Sequence, residues 1–230
     1  AGVFSILVFM ENNLSIAAII MFVAFIMVFV SGMNGKETIA LMGAGGVLGA
    51  MGIFSSDYRR ERFMSFTNPW KYANDEGYQL VHSLYAIGSG GLFGVGLGNS
   101  KQKALYMPEP HNDFIFAIIA EELGLVGCII IMAIFAVLII AGIDVAMKAK
   151  DKYGKLLAAG IISVIAVQVI INIAVVTGSM PVTGVPLPFI SYGGTSLVFN
   201  LAAVGVLLNI SRQTKSHKDE IQEKIIKSKM

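Results

Sequence analysis

The chain has 230 residues, of which 55% are apolar and only 14% charged, and its formal net charge at pH 7 is +2. A soluble domain of this length could not bury so much apolar surface, so the composition excludes a soluble globular protein. Several apolar runs reach the roughly 20 residues that a spanning helix needs, which predicts an all-α, polytopic membrane helix bundle. The single cysteine, Cys128, excludes an intramolecular disulfide framework.

The predicted elements begin with the end of a spanning helix at residues 1–10, which Glu11 and two asparagines interrupt. Because the sequence opens inside an apolar run, without an initiator methionine or a signal peptide, we expect earlier spans before it or on another chain. A second span is predicted over Leu14–Val30, followed by a tight turn at 34–36. A third, glycine-rich span over Thr38–Phe54 is suited to close helix packing.

A long polar segment, residues 55–112, follows and is predicted to contain short helices. Residues 113–143 are too long for one simple span, so we expect either a tilted helix or a break near Gly124 and Gly127. The tail is predicted as either a short amphipathic surface helix or a disordered segment. The remaining predicted elements are a basic loop at 148–155, a span over Leu156–Thr177, a proline-rich loop at 178–191, a last span over Tyr192–Ile210 and the polar tail at 211–230.

The positions of lysine and arginine predict the orientation. The loop at 148–155 and the tail are both lysine-rich and lie two spans apart, so both are predicted to be cytoplasmic, as is Lys36. The membrane domain, residues 1–210, then exposes the 55–112 and 178–191 segments on the extracytoplasmic side. The 55–112 segment carries six cations, which either pair with its acids or bind an anionic ligand such as a phosphate head group. These cations are Arg59, Arg60, Arg62, Lys71, Lys101 and Lys103.

Asp113 is a lone carboxylate at the point where the polar segment becomes an apolar helix. On a helix that starts near Asn112, the face of Asp113 is shared by mostly small residues, which leave room for a ligand to approach. The alternative is that Asp113 only caps the helix and that the small residues allow close helix packing. The residues on this face are Phe116, Ala117, Ala120 and Gly124.

Two glycine-containing motifs are candidates for binding. Gly88–Gly98 reads GSGGLFGVGLG, fits no nucleotide-binding pattern, and is therefore interpreted as tightly folded re-entrant or interfacial backbone. The second motif, GVPLPFISYGGT at 184–195, contains a candidate helix N-cap, Ser191, although the Gly193-Gly194 pair is an alternative start for the last span. An outward-facing helix N-terminus suits phosphate, and a rigid turn that packs the bundle is the alternative.

Three further polar residues are candidates for a functional or structural role. Glu11 lies between apolar runs, where it either has a functional or ion-pairing role or caps the helix that starts at Leu14. His82 and His111 do not have metal-ligand spacing with the cysteine, so hydrogen-bonding roles are expected.

Several motifs in order make the chain resemble the SEDS proteins (shape, elongation, division and sporulation), specifically their FtsW/SpoVE branch. The resemblance covers nearly the whole chain, and GLGNSKQK at 96–103 favours this branch over the RodA branch. Asn112 stands where the family usually has threonine, while the acid after it is retained. The motifs are ENNLS at 11–15, NPW at 68–70 with GYQ at 77–79, AIGSGGLFGVGLG at 86–98, SKQK at 100–103, PEPHNDFIFAIIAEELG at 108–124 and PLPFISYGG at 186–194.

The resemblance implies a peptidoglycan glycosyltransferase at the outer face of the bacterial cytoplasmic membrane, serving cell division or sporulation. Its implied substrate is lipid II, an undecaprenyl-diphosphate-linked disaccharide-pentapeptide. The implied partners are a class B penicillin-binding protein, other divisome membrane proteins and membrane lipids, with no nucleic acid. A divalent cation, Mg²⁺ or Mn²⁺, bridging Asp113 and the diphosphate is compatible with this chemistry, although nothing in the sequence requires it.

In the implied reaction the hydroxyl of one sugar displaces the lipid diphosphate from C1 of another sugar, with inversion of configuration at C1. It needs a base and cations that hold the leaving diphosphate. We predict Asp113 as the base, with the lysines ranked before the arginines at the diphosphate. The predicted substrate-binding residues are Lys101, Lys103, Arg59, Arg60 and Arg62 for the diphosphate, Glu109 and His111 for tuning Asp113 or binding sugar, Gln79 and Gln102 for sugar, and Glu11, Ser191 and Gly193.

Two other classes of function remain open at this level. A transporter that flips lipid-linked precursors would also need intramembrane polar groups and glycine breaks. A scaffold that only recruits a transpeptidase would not need Asp113 at all.

Overall fold

The computed structural model describes residues 1–11, 13–109 and 111–229, except for the side chains of Ile53, Tyr58 and residues 215–229. Within these ranges the regular structure is entirely helical, which confirms the predicted all-α fold class. A 3-10 turn at Pro69–Tyr72 joins α4 to α5. The helices are α1 (Gly2–Met10), α2 (Leu14–Val30), α3 (Gly35–Phe54), α4 (Asp57–Thr67), α5 (Tyr78–Gly90), α6 (Lys101–Leu105), α7 (Ile115–Lys148), α8 (Lys152–Val176) and α9 (Gly194–Lys229).

Three of the described helices are long and apolar enough to cross a membrane, namely α7, α8 and the Gly194–Thr214 part of α9. α2 is also apolar but has only 17 residues. α8 lies at the centre and packs against α7, α2 and α9, and the main core forms where α7 meets α8. Many large apolar side chains of α7 and α9 are exposed, as expected for surfaces that face lipid.

Two predicted boundaries are wrong because side chains cap the helices earlier than the apolar pattern indicates. α3 begins at Gly35, and there is no separate turn at 34–36, because Asn34 and Glu37 form a capping box. α8 begins at Lys152 instead of Leu156, because Asp151 Oδ1 accepts a hydrogen bond from Gly154 N at 3.0 Å.

The predicted polar tail continues α9 without a break. The backbone of α9 is helical to Lys229, which agrees with the helical alternative for this segment. Met230 and the side chains from 215 onward lie outside the described residues, so the amphipathic character and the cytoplasmic location of the tail stay predictions.

α7 is broken at Gly124, where φ is 66° and ψ is −167°, which agrees with the break, one of the two alternatives predicted for this segment. A helix break leaves backbone groups unpaired, which is costly at membrane depth unless other groups satisfy them. The glycine-rich loop of residues 91–96 supplies the missing partners. This confirms the structural interpretation of the Gly88–Gly98 motif. The four bonds are Val95 N to Glu121 O (2.9 Å), Gly96 N to Glu122 O (3.1 Å), Leu125 N to Gly91 O (2.9 Å) and Val126 N to Leu92 O (3.2 Å).

Gly94→Ala is expected to destabilise the protein strongly. Gly94 has a φ of 78°, and a Cβ there would lie 2.1 Å from Glu122 O, so both backbone strain and a backbone clash would arise. The two costs together are roughly 2–6 kcal/mol. The melting temperature in detergent measures the effect. Gly88→Ala on α5 is the matched control, because its Cβ would meet nothing within 4 Å, and equal melting temperatures for the two variants would contradict the role of the loop.

The polar segments gather at one end of the long helices. Ser83 Oγ on α5 donates a hydrogen bond to Val176 O at the end of α8 (2.7 Å), and Tyr192 N donates to His111 O (2.9 Å). The short connection at 149–151 joins the opposite ends of α7 and α8. The two segments predicted to be extracytoplasmic therefore lie on the same side, while the choice of side stays a prediction.

Candidate active site

Asp113 lies in the turn that precedes α7, outside the helix itself. The N-cap of α7 is Phe114, without a side-chain cap bond, so the alternative in which Asp113 caps the helix is wrong. The expectation that the small residues of α7 open a path to Asp113 is also wrong. Phe116, Ala117 and Ala120 are buried in the core, and a Cβ on Gly90 would lie 1.9 Å from Ala120 O, so these residues serve close packing of α5 on α7.

The turn that carries Asp113 is fixed through three consecutive backbone carbonyls. Each carbonyl accepts a hydrogen bond from α8 or from the loop that follows it. The position of Asp113 is therefore set by elements that are distant in sequence. The bonds are Tyr192 N to His111 O (2.9 Å), Ser191 Oγ to Asn112 O (2.7 Å) and Asn172 Nδ2 to Asp113 O (2.7 Å).

Ser191 therefore holds the loop and does not cap α9. Its hydroxyl donates to Asn112 O and accepts a hydrogen bond from Leu187 N at 2.7 Å. The predicted N-cap role is wrong because the chain makes a further turn before the helix begins. α9 begins at Gly194, with Leu197 N bonded to Gly193 O at 3.0 Å, as the alternative start at the glycine pair predicted.

A groove of about 590 Å³ opens between α2, α3, α4, α8 and the loop after α8. Its walls are mostly apolar, and its polar contributions include two arginines of α4. The apolar walls suit a hydrocarbon chain, and the arginines suit an anionic head group. The residues that line it include Leu14, Ala18, Ile19, Phe22, Arg59, Arg62, Phe63, Val167, Ile170, Ile171, Met180, Val182 and Thr183.

Asp113 is not one of the residues that line this groove, but it lies near the groove beside Gly184. Asp113 Oδ2 lies 3.3 Å from the position that a Cβ of Gly184 would occupy, directly after the groove residue Thr183. Burial raises the pKa of the Asp113 carboxyl above its ordinary value, the Arg62 charge lowers it, and the Glu109 charge raises it. A half-buried carboxylate with a raised pKa, near a groove that contains two arginines, has the character expected of a general base.

The three arginines of α4 have different surroundings. Arg62 is half-buried and lines the groove. Arg59 also lines it, but its Nη1 donates to Gly52 O (3.0 Å) and Ser55 Oγ (2.9 Å), and its guanidinium lies 4.5 Å from the Phe9 ring centroid. Arg60 is exposed on the same helix. Of the three, Arg62 has both the groove position and the electrostatic effect on Asp113.

The two lysines predicted to hold the diphosphate lie on the short helix α6 with exposed side chains. Their helix is anchored by Glu121, a buried residue of α7 that sequence reasoning missed. Its carboxylate accepts hydrogen bonds from Ser100 Oγ, Lys101 N and Gln102 N. The assignment of Lys101 and Lys103 to the diphosphate stays a prediction.

The other predicted substrate residues are distributed around this end of the molecule. Gln102 Oε1 lies 2.7 Å from His82 Nδ1, and Gln79 is half-buried on α5. Glu109 Oε2 accepts a hydrogen bond from Asn112 Nδ2 at 2.8 Å, and the His111 ring makes an edge-to-face contact with the Tyr192 ring. Their contacts with substrate stay predictions.

Glu11 is exposed at the C-terminal end of α1. The alternative in which Glu11 caps the next helix is wrong, because Asn13 is the N-cap of α2 and its side chain accepts a hydrogen bond from Ile16 N at 3.3 Å. Asn12 lies outside the described residues.

The two residues whose roles were not predicted from the sequence share one feature that could have identified them. Asn172 and Glu121 are polar residues within strongly apolar helices, and both are at most 2% exposed. A buried polar group in a spanning helix is costly unless it has partners, so its presence is itself an indication of a role. The partners of both residues lie in other segments of the chain, which the local pattern does not identify.

Among the side chains that the structure describes, no group of three or more His, Cys, Asp or Glu that could hold a metal ion is found. A single carboxylate together with substrate phosphates is the usual way in which proteins hold Mg²⁺. The carboxylates present therefore fit a cation that binds together with a diphosphate better than they fit a metal site built from protein ligands alone.

Comparison with known proteins gives a consistent result. The family model FTSW_RODA_SPOVE, cell cycle protein, matches residues 1–216. Stage V sporulation protein E of Bacillus subtilis (strain 168) is 48% identical over 212 residues, which are 91% of this chain and 57% of that protein. A probable peptidoglycan glycosyltransferase FtsW of Geobacter sulfurreducens (strain DL-1 / KN400) is 44% identical over 206 residues, 89% of this chain and 55% of that protein. The chain thus spans a little over half the length of these curated relatives.

Two solved structures share the fold. One is a chain from a study of how a peptidoglycan synthase complex coordinates polymerization and crosslinking, with a TM-score of 0.74 and 27% identity, covering 90% of this chain and 58% of that one. The other is the rod shape determining protein RodA of Thermus thermophilus, with a TM-score of 0.60 and 26% identity, covering 92% of this chain and 53% of that one.

Proposed function

The chain belongs to the FtsW/RodA/SpoVE family of cell cycle proteins, and from this premise we propose that it is a peptidoglycan glycosyltransferase. Its substrate is lipid II, which it polymerises into glycan strands at the outer face of the cytoplasmic membrane, during cell division or sporulation. It acts together with a class B penicillin-binding protein and other divisome membrane proteins. The names of its relatives, and a solved chain of the same fold from a study of a peptidoglycan synthase complex, support this proposal.

The observation that carries the proposal is the juxtaposition of Asp113 with the groove. An undecaprenyl diphosphate needs an apolar channel for its chain and cations for its phosphates. The groove offers the apolar walls, and Arg62 offers the charge. Asp113 lies near the groove beside Gly184. The sugar that follows the diphosphate would lie at this position.

In the proposed reaction Asp113 takes the proton of the acceptor sugar hydroxyl. The hydroxyl oxygen bonds to the sugar C1 of the donor, the bond from C1 to the diphosphate breaks with inversion, and the diphosphate leaves with the electron pair. Arg62 stabilises the negative charge that develops on the leaving group. The partly buried surroundings strengthen this electrostatic effect, because they reduce screening by water.

A divalent cation, Mg²⁺ or Mn²⁺, would bind together with the diphosphate, and Asp113 is the carboxylate that would hold it. Such a cation would supply further charge neutralisation of the leaving diphosphate.

Fluorescently labelled lipid II, the intact protein and a gel that resolves glycan polymer test the proposal. A glycosyltransferase makes a ladder of polymer. A lipid-linked precursor flippase moves labelled lipid II across the vesicle membrane without making polymer, and a scaffold for a transpeptidase does neither. Translocation of lipid II without polymer, or neither translocation nor polymer, in the presence of the transpeptidase partner would contradict the proposed activity.

The rate of polymerisation is expected to rise with pH through a pKa above the ordinary value of an aspartate. Only the ionised carboxylate of Asp113 can act as a base, and burial raises its pKa, so activity is lost as pH falls through this raised value. Glu109→Gln removes a charge that raises the pKa and shifts the acidic limb to lower pH, whereas Arg62→Gln shifts it to higher pH. The pH dependence of kcat/KM measures both shifts, and shifts of the opposite sign would contradict Asp113 as the titrating group.

A further inference from the structure

We propose that Asn172 on α8 is the positioning residue for Asp113. This inference rests on the proposed function. Asn172 is 1% exposed and lies one turn before the end of α8, a helix otherwise suited to crossing the membrane. A primary amide in such a place requires partners, because an unpaired polar group is costly in an apolar interior.

The partners of the Asn172 amide are two backbone carbonyls from different segments. Nδ2 donates to Asp113 O at 2.7 Å and to Val185 O at 2.8 Å. The first carbonyl belongs to the proposed base, and the second lies in the residue after Gly184, against which the Asp113 carboxylate rests. One side chain therefore fixes both the residue that carries the carboxylate and the loop that faces it.

The chemistry of the amide explains why this residue type is suited to the role. A primary amide has two N–H donors on one nitrogen, so it can serve two acceptors at once, whereas a hydroxyl has only one donor. Oδ1 of Asn172 is buried without a hydrogen-bond partner among the described residues. The two donors of the side chain thus satisfy one backbone carbonyl in each of two separate segments.

The experiment compares two substitutions that separate packing from hydrogen bonding. Asn172→Leu keeps a similar size but removes both donors. Asn172→Gln keeps the amide but adds a methylene to a fully buried site. A role in packing alone predicts that the leucine variant is the better enzyme, whereas a role in positioning predicts that the glutamine variant is.

The readout is kcat and KM for polymerisation of labelled lipid II by the intact protein with its transpeptidase partner. We expect Asn172→Leu to lower kcat by roughly 10- to 100-fold, as for a catalytic group displaced by about 1 Å, with KM changed by less than about twofold. Asn172→Gln should retain more activity than Asn172→Leu. Thr177→Val is the matched control at the same end of α8, because its hydroxyl contacts Ile173 O, Ala174 O and the nearby Ser179 hydroxyl but no described group of the turn that carries Asp113, and it should leave kcat unchanged.

An unchanged kcat in Asn172→Leu, or a leucine variant more active than the glutamine variant, would overturn the inference while the proposed function stands. Absence of polymer from the wild-type protein would contradict the proposed function, and the inference with it. If the leucine variant does not accumulate, Asn172→Ala replaces it in the same comparison with Asn172→Gln, because alanine introduces no bulk.

Discussion

Asp113→Asn is expected to abolish the formation of glycan polymer from lipid II while the protein remains folded in the membrane. Loss of a general base lowers rates by about 10²- to 10⁴-fold, which places polymer formation below detection in a gel assay. The substitution keeps the size and shape of the side chain. The hydrogen bond from Asn172 is to the backbone carbonyl of residue 113, so the turn should persist.

Asp75→Asn is the matched control, because Asp75 is an exposed acid in the same polar segment. It should polymerise lipid II at the wild-type rate. The melting temperatures of both variants establish that each is folded. Normal polymer from Asp113→Asn would remove Asp113 from the mechanism.

Arg62→Glu is expected to weaken the binding of lipid II by more than about tenfold at low salt, since a charge-assisted contact with phosphate is replaced by repulsion. The effect should shrink as salt increases, because ions screen the interaction at a partly exposed groove. Titration of labelled lipid II at two ionic strengths measures it.

Two comparisons make this measurement specific to the groove. Arg60→Glu carries the same change of charge on the same helix, but Arg60 is exposed and the groove lining does not include it. The double variant of Lys101→Glu with Lys103→Glu tests the lysines that the sequence ranked first. Equal weakening by Arg60→Glu and Arg62→Glu would show a general effect of charge, and a larger effect of the double lysine variant would place the diphosphate at α6.

The parts of the fold that depend on local pattern were predictable. The second helix occupies Leu14–Val30, the bounds expected from its apolar run, and the long helix α7 breaks at Gly124. Both follow from composition along a single segment, because an uninterrupted apolar run defines a helix and a glycine permits the φ of 66° at which the helix breaks.

The parts that depend on contacts between distant segments were not predictable. The sequence indicates a structural role for the glycine-rich loop, but the pairing of its N–H and C=O groups with the break in α7 is visible only in the fold. Asp113 was expected within the helix, whereas the bonds from Asn172 and Ser191 hold it in a separate turn. No pattern within a single segment identifies an amide that joins two loops.

The resemblance and the structure contribute different parts of the candidate site. The sequence pattern singles out Asp113, the resemblance implies a reaction that needs a base, and the structure gives the setting of this carboxylate. The sequence-based prediction ranks the lysines before the arginines at the diphosphate. The arrangement of helices instead brings Arg62 of α4 to the groove beside Asp113, while Glu121 anchors the helix that carries the lysines.

A structure of the intact Asp113→Asn variant with lipid II bound would test the central claim most directly, because the variant should bind substrate without consuming it. We predict diphosphate density at Arg62, the isoprenoid chain along the apolar groove, and a sugar hydroxyl within hydrogen-bonding distance of the side chain at position 113. Lipid II bound elsewhere, with no sugar near that side chain, would contradict it.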